Sequence, residues 1–136
     1  MAGTEPRAPS TATVLVADGE VLVRHALADY LRRCGYEVIE AASSDEALTV
    51  LAEPGLAIGV MICDVTIGGS LSGFALAAWA RASRPGLQVL LAGNVEKAAD
   101  AAAGLCDEGP ALARPYDPQL VVDRIKRLLA ARDRRG

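Results

Sequence analysis

Acidic side chains follow two apolar runs of the chain at the point where each run ends. Asp18-Gly19-Glu20 follows Thr13–Ala17, and Asp64 follows the run of residues 56–63. Two carboxylates in one cleft favour a hard divalent cation such as Mg2+, which binds carboxylates, waters and phosphate oxygens. A cation beside them, Arg114, would neutralise the charge that develops when a carboxylate receives a phosphoryl group. These residue types predict a metal site with a phosphoryl-accepting carboxylate, and the simpler interpretation is a pair of loop acids and a surface arginine.

The elements that must position these residues alternate between strand and helix. Short apolar runs predict five strands, at residues 13–17, 36–42, 56–63, 87–92 and 111–113. Three of the runs are continuous rather than alternating, as in a parallel sheet that helices cover on both faces. We therefore predict an α/β flavodoxin-like fold, with a doubly wound five-stranded parallel sheet of order 2-1-3-4-5 and five helices. In that order the first and third strands are neighbours, so Asp18 and Asp64 should converge on one cleft.

Capping signals and helical spacing place the helices between the strands. Ser43 and Glu46 have the spacing of a capping box, and Asp117 before Pro118 predicts the start of the last helix. Residues 95–105 are rich in alanine, so the helix there is predicted with a weak apolar face. The last helix is predicted to bury Leu120, Val121, Ile125, Leu128 and Leu129.

Length and charge bound the class of the molecule. The chain of 136 residues fits one domain, and a hydrophobic content of 51 % excludes a disordered protein. We predict a domain at residues 13–132 between tails at 1–12 and 133–136. The net charge of −3 combines −7 over residues 1–113 with +4 over residues 114–136, which argues against a nucleic-acid-binding surface. The basic last helix suggests an acidic protein partner, although a solvated helix face is the plainer interpretation.

The cysteines and the N-terminal residues bear on the compartment. Cys34, Cys63 and Cys106 are widely spaced and form no CxxC pair, so we predict buried, reduced thiols in a cytoplasmic protein. The first ten residues lack the charged and apolar regions of a signal peptide, and no apolar stretch is long enough to span a membrane. We therefore expect no association with a membrane.

The order of the segments is similar to that of a known family. In sequence and spacing the chain resembles the receiver domain of bacterial two-component response regulators over VLVADGEVLVRHAL, GYEVIEAASSDEALTVL, VMICDVTIGGSLSGFALA, PGLQVLLAGN and ALARPYDPQLVVDRI. These segments span about residues 13–130. The resemblance implies phosphorelay signal transduction, with a histidine kinase or a histidine phosphotransfer protein as the phosphoryl donor.

The resemblance also implies a role for each residue at the carboxyl ends of the strands. Asp64 stands at the phosphorylated position, and Asp18 stands at the first of two acids that bind Mg2+. The metal ligands implied are Asp18, Asp64 and the backbone carbonyl of Thr66. Arg114-Pro115 stands at a Lys-Pro pair in which the lysine contacts the phosphoryl group and the peptide before proline is usually cis.

Several positions depart from the family's pattern. Gly19 replaces the second acid of the metal-binding pair, and Glu20, one residue further on, is the candidate substitute. Ala92 stands at the Ser/Thr position that hydrogen-bonds the phosphoryl group, and Gly68 stands at a proline position. Arg114 keeps the charge of the lysine but changes its shape and reach. We therefore expect Mg2+ binding to be weakened or absent.

Three functional hypotheses from different classes follow. The first is a stand-alone response-regulator receiver that accepts phosphate at Asp64, and the second is a pseudo-receiver that binds proteins without phosphorylation. The third, a small flavodoxin-like enzyme or nucleotide binder, is disfavoured because Asp18-Gly19-Glu20 puts acids where a phosphate would lie. We predict that the chain is not an enzyme. The resemblance implies docking to a downstream protein target, as a monomer or a weak dimer, through the face of strand 4, helix 4, strand 5 and helix 5.

Overall fold

Residues 13–108 and 117–135 are described by the computed structural model as alternating strands and helices. The strands in these ranges are β1 (Thr13–Ala17), β2 (Glu37–Ala41), β3 (Ile58–Asp64) and β4 (Gln88–Ala92). The helices there are α1 (Val21–Arg33), α2 (Ser44–Leu51), α3 (Gly73–Ser83), α4 (Val95–Glu108) and α5 (Pro118–Arg135). Helix α5 therefore continues past the predicted domain end at residue 132.

The described strands form one parallel sheet of order β2-β1-β3-β4. In the register of β1, Leu15 lies opposite Ile39 of β2 and Met61 of β3. This topology confirms the predicted α/β flavodoxin-like fold and the order of its first four strands. The predicted fifth strand at 111–113, the Arg114-Pro115 pair and the N-terminal residues 1–12 lie outside the described residues.

Helices bury both faces of the sheet. One core contains side chains of α1, α4 and α5, among them Leu27, Ala102 and Ile125. The other core contains side chains of α2 and α3, among them Leu51 and Leu76. The strand β1 is consequently buried from Val14 to Ala17, which explains its continuous apolar sequence.

Helix α4 packs more closely than its alanine-rich sequence predicts. Ala98, Ala102 and Leu105 are buried in the same core as α1 and α5. Because alanine has a small side chain, α4 can approach its neighbours without a row of large apolar residues. The predicted weak apolar face is therefore a closely packed one.

A disulfide joins Cys34, at the end of α1, to Cys106 of α4. The two Cα atoms are 5.5 Å apart, within the usual range for a disulfide. The prediction of three reduced thiols is therefore wrong for this pair and holds for Cys63, which is free and buried. Wide spacing in the sequence concealed the pair, because only the packing of α4 against α1 brings the two residues together.

The predicted helix starts are present, and the buried face of α5 differs from the prediction in part. The hydroxyl of Ser43 accepts the Glu46 N–H (3.1 Å), and Asp117 Oδ1 accepts the Gln119 N–H (2.8 Å). On α5, Leu120 is 57 % exposed and Leu128 is 38 % exposed, although both were predicted to be buried. The face that α5 turns to the core instead comprises Val121, Val122 and Ile125.

No helix in the described part of the chain is long and apolar enough to cross a membrane.

Candidate functional site

A cavity of about 200 Å³ opens at the carboxyl edge of the sheet, beside β1, β3 and β4. Its lining brings together the described residues that the sequence singles out, namely Asp18, Glu20, Asp64, Thr66 and Ala92. The remaining candidate, Arg114, lies outside the described residues. Because β1 and β3 are neighbours in the sheet, the cavity occupies the position where open α/β sheets bind their ligands.

Asp18 is an acid at the end of β1 whose carboxylate is largely withdrawn from solvent. It is 7 % exposed, and its Oδ1 accepts the backbone N–H of Glu20 at 2.8 Å. Burial raises the pKa of Asp18 to about 6, and the negative charges of Asp64 and Glu20 add to that shift. The Glu20 N–H and the Arg24 charge act in the opposite direction. The raised pKa indicates a carboxylate placed where negative charge is unfavourable unless a cation is present.

Asp64 ends β3 and is held by the residue two positions further on. The backbone N–H of Thr66 donates to Asp64 Oδ1 at 3.0 Å. The Thr66 hydroxyl lies 3.0 Å from Oδ1 and 2.9 Å from Oδ2. The sequence singled out only the carbonyl of Thr66, so the contact of its hydroxyl with both carboxylate oxygens is a feature that sequence reasoning missed.

Cys63, the neighbour of Asp64 in β3, takes no part in this chemistry. Burial raises the pKa of the Cys63 thiol to about 12, and the charges of Asp64 and Asp18 contribute to the same shift. A thiol with so high a pKa remains protonated and unreactive at neutral pH. Cys63 therefore acts as a small apolar side chain behind the acids.

Glu20 lines the cavity, but its carboxylate is bound to the guanidinium of Arg132 on α5. This contact links the loop after β1 to the last helix, and no signal in the sequence predicts it. Gly19, where the family has its second acid, has space for a side chain: an added Cβ would meet only the Ala42 carbonyl oxygen, at 3.4 Å. An acid at position 19 is therefore sterically acceptable.

The loop between β3 and α3, residues 66–72, is anchored to the start of α2. Ser70 donates to the Asp45 carboxylate from its N–H (3.1 Å) and from its hydroxyl (2.6 Å), and these bonds lower the pKa of Asp45. The Leu71 N–H donates to the hydroxyl of the buried Ser44 at 3.0 Å. The Ser44 N–H donates to the Gly68 carbonyl at 2.8 Å. Four hydrogen bonds thus fix the loop behind Asp64.

Two glycines allow this loop to lie close to its neighbours. Gly69 has φ +122°, and a Cβ there would collide with the Ser44 hydroxyl oxygen. A Cβ added at Gly73, at the start of α3, would lie 2.7 Å from the Asp64 carbonyl oxygen. Larger residues at either position would move the loop away from the acids.

The opposite side of the cavity is formed by the end of β4 and the start of α4. Ala92 presents a methyl group there, and its carbonyl accepts the Val65 N–H at 3.0 Å. Asn94 Oδ1 accepts the Lys97 N–H at 2.8 Å and so caps α4. Thr66 and Asn94 are thus the two described residues of the lining that carry neutral side-chain hydrogen-bond donors.

The donor set fits a divalent cation. Asp18 and Asp64 supply carboxylates, and the pKa of Asp18 is raised chiefly by burial, with a smaller contribution from the charges of Asp64 and Glu20. Hard oxygen ligands of this kind suit Mg2+, which commonly uses one or two carboxylates and keeps several waters. Residues 13–108 and 117–135 hold no cluster of three or more His, Cys, Asp or Glu side chains arranged to bind a metal ion.

Comparisons with known proteins agree with this fold. The family model "response regulator receiver domain" matches residues 14–126, so the chain belongs to the receiver-domain family of response regulators. This result confirms the resemblance predicted from the sequence. Receiver domains are signalling modules that bind Mg2+ at an acidic site and interact with histidine kinases and other proteins.

Solved structures provide further relatives. A receiver domain from Clostridium thermocellum is 27 % identical, with a TM-score of 0.56, and the match covers 87 % of this chain and 98 % of that one. The receiver domain of the hybrid histidine kinase CckA is 29 % identical, with a TM-score of 0.56 and coverage of 85 % and 97 %. A complex of histidine kinase ThkA with response regulator protein TrrA matches at 26 % identity, with a TM-score of 0.53 and coverage of 60 % and 67 %. Among curated proteins, none matches the chain significantly.

Proposed function

We propose that the chain acts as a receiver that accepts a phosphoryl group on Asp64 in phosphorelay signal transduction. The observation that carries the proposal is that Asp18 and Asp64, from neighbouring strands, line one cavity at the carboxyl edge of the sheet. The charge of Asp64 contributes to the raised pKa of Asp18, so the two carboxylates interact electrostatically. Such a pair suits the joint binding of a cation and a phosphoryl group.

The proposed reaction is the transfer of a phosphoryl group from a phosphohistidine. An oxygen of the Asp64 carboxylate bonds to phosphorus while the bond from phosphorus to the donor nitrogen breaks, and that nitrogen keeps the electron pair. The product on this chain is an acyl phosphate. The donor we propose is a histidine kinase or a histidine phosphotransfer protein, and the complex of ThkA with TrrA supports the first choice.

We propose that Asp18, Asp64 and the Thr66 carbonyl hold Mg2+, and that Glu20 contributes only when it leaves Arg132. Bound Mg2+ supplies positive charge that offsets the charge of the phosphoryl oxygens. Since Gly19 adds no carboxylate, we expect weak Mg2+ binding. Arg114 is proposed to contact the phosphoryl group.

The substitution Gly19→Asp tests the metal site. It adds a carboxylate beside Asp18 where a Cβ fits, so we expect Mg2+ affinity, measured by calorimetry, to rise about tenfold. Gly55→Asp is the matched control, because it adds the same charge at a glycine whose Cβ would have no neighbour within 4 Å. Equal Mg2+ affinity in the two variants would place the metal away from residue 19.

The alternative function is a pseudo-receiver that binds proteins without being phosphorylated. It is favoured by Gly19, which adds no carboxylate to the metal site, and by Ala92, which offers no hydroxyl to a phosphoryl group. Acetyl phosphate with Mg2+, read out by intact mass, distinguishes the two functions. We expect the chain to gain one phosphoryl group and Asp64→Asn to gain none. A chain that is not labelled by acetyl phosphate or by a phosphorylated histidine kinase supports the pseudo-receiver.

The output is proposed to be binding to a downstream protein target. The face predicted for it, formed by strand 4, helix 4, strand 5 and helix 5, includes residues 109–116, which lie outside the described residues. A monomer or a weak dimer through that face, and a cytoplasmic location, stay predictions.

A further inference from the structure

We propose that the Thr66 hydroxyl donates a hydrogen bond to the phosphoryl group on Asp64, in the role that Ala92 cannot fill. The inference rests on the proposed function, since it assigns a phosphoryl-binding residue to the same site. Thr66 belongs to the loop after β3, whereas Ala92 ends β4 on the other side of the cavity. The hydroxyl would therefore approach the phosphoryl group from the loop rather than from β4.

The geometry around Asp64 indicates which oxygen becomes phosphorylated. Oδ1 is held both by the Thr66 backbone N–H and by the hydroxyl, at 3.0 Å each. Oδ2 is held by the hydroxyl, at 2.9 Å. A hydroxyl has one proton and can donate to one oxygen at a time, so Oδ2 becomes free when the hydroxyl donates elsewhere. We therefore assign Oδ2 as the attacking oxygen, with the backbone N–H retaining Oδ1.

The same hydroxyl lies close to the group that would form. A phosphoryl group on Oδ2 places its oxygens next to the atom that now contacts the hydroxyl at 2.9 Å. Rotation about the Cβ–Oγ1 bond of Thr66 can then redirect the donated proton from the carboxylate to a phosphoryl oxygen. A hydrogen bond to an ionised acceptor is stronger than one between neutral groups.

Thr66 is free to make this change without disturbing the loop. Its side chain is exposed, and among residues 13–108 and 117–135 its hydroxyl bonds to Asp64. The anchoring bonds to α2 are made by other residues, Gly68, Ser70 and Leu71. The rest of the loop can therefore stay in place while the hydroxyl turns.

Asn94 is the competing donor in the described lining of the cavity. Its Oδ1 already accepts the Lys97 N–H and caps α4, which fixes the amide at the start of that helix. Thr66 instead contacts the reacting carboxylate directly. Direct contact with both oxygens of Asp64 is the reason to assign the role to Thr66.

Beryllofluoride binding in saturating Mg2+, measured by calorimetry, tests the inference, because beryllofluoride mimics a phosphoryl group on a carboxylate. Thr66→Val removes the hydroxyl and keeps the shape, and we expect it to weaken beryllofluoride binding about tenfold or more. Thr66→Ser, which restores a hydroxyl, should bind within about twofold of the unsubstituted chain. Adding Ala92→Ser to Thr66→Val should recover most of the lost affinity, because it places a hydroxyl at the end of β4.

Matched controls keep the result specific. Thr49→Val makes the same replacement on α2, where the Thr49 hydroxyl donates to the Asp45 carbonyl, and it should leave beryllofluoride binding unchanged. An unaltered thermal midpoint and Mg2+ affinity in Thr66→Val would show that its fold and its metal site are intact. Binding by Thr66→Val that equals or exceeds that of the unsubstituted chain overturns the inference alone. Failure of the unsubstituted chain to bind beryllofluoride overturns the proposed function and the inference with it.

Discussion

The two sides of the cavity around Asp64 are held in place in different ways. The loop of residues 66–72 is fixed by hydrogen bonds to Asp64 and to the start of α2. Helix α4 is fixed by buried alanines, by the disulfide to Cys34 and by a bond from the Tyr36 hydroxyl to the Leu105 carbonyl (2.7 Å). The loop therefore places polar groups beside the carboxylate, whereas α4 is restrained near its far end and offers the site little polar chemistry.

This difference shows that the side of a site with the tightest packing need not be the side that supplies the polar groups. Hydrogen bonds are directional, so the loop fixes the orientation of individual groups such as the Ser70 hydroxyl and the Leu71 N–H. Apolar packing and a covalent link fix the position of a whole helix without selecting a donor. We therefore expect changes to α4 to act mainly on stability, and changes to the loop to act on both stability and phosphoryl binding.

On the α4 side of the cavity, removal of the disulfide should cause the largest loss in the free energy of unfolding. Cys34→Ser, or reduction of the bond, should lower the free energy of unfolding by about 2–4 kcal/mol, because the bridge closes a long loop in the unfolded chain. Urea unfolding with and without a dithiol reductant measures the loss. In the double variant Cys34→Ala and Cys106→Ala, the reductant should change nothing further.

The oxidation state can be checked without a variant. Under denaturing, non-reducing conditions the chain should present one reactive thiol, that of Cys63, because the other two cysteines are paired. A count of three thiols would contradict the disulfide. It would also leave the position of α4 dependent on apolar packing and the Tyr36 bond.

On the loop side of the cavity, Gly69→Ala should lower the free energy of unfolding. The backbone there has φ +122° and an added Cβ would meet the hydroxyl oxygen of the buried Ser44, so we expect a loss of roughly 2 kcal/mol in the free energy of unfolding. Gly68→Ala is the matched control, since a Cβ there has no neighbour within 4 Å, and its effect should stay within about 0.5 kcal/mol. Thermal unfolding of both variants tests this. Equal losses would mean that the anchor on α2 does not depend on the close approach of Gly69.

The sequence was sufficient for the fold because the fold follows from local patterns. The apolar run of β1 and the capping residues Ser43 and Asp117 are short-range signals, and the structure has a strand or helix boundary at each. Alternation of strand and helix then restricted the topology, and the order of the first four strands is as predicted. The error on α4 came from judging its apolar face by side-chain size.

The site was predictable only in part, because some of its contacts join residues that are far apart in the sequence. Asp18 and Asp64 were singled out because both follow strands, and the structure places both in one cavity. The bond between Ser70 and Asp45 spans 25 positions, and the disulfide spans 72. Pairings at such separations depend on how the finished elements pack, and one sequence carries no direct record of them.

Asp18 lies between the loop and α4. Its titration should cause the smallest change in the free energy of unfolding. Its pKa is about 6 in the folded chain against 3.8 for an ordinary aspartate, so the folded chain holds the proton more tightly. The associated stability is fully present below pH 3.8 and is lost as the pH rises through about 6. At pH 7 without Mg2+, Asp18→Asn should therefore raise the free energy of unfolding by roughly 1–2 kcal/mol.

Urea unfolding of both proteins between about pH 4 and 8 measures this difference, because the scan passes through the raised pKa of Asp18, about 6. The advantage of Asp18→Asn should shrink towards pH 4, where Asp18 is protonated in the unsubstituted chain. Mg2+ at pH 7 should also reduce it, because the cation stabilises the carboxylate and not the amide. An advantage that is independent of pH would show that burial of the charge at Asp18 is not its cause. An advantage that Mg2+ leaves unchanged would place the cation elsewhere, and the loop would then position a phosphoryl acceptor without Asp18.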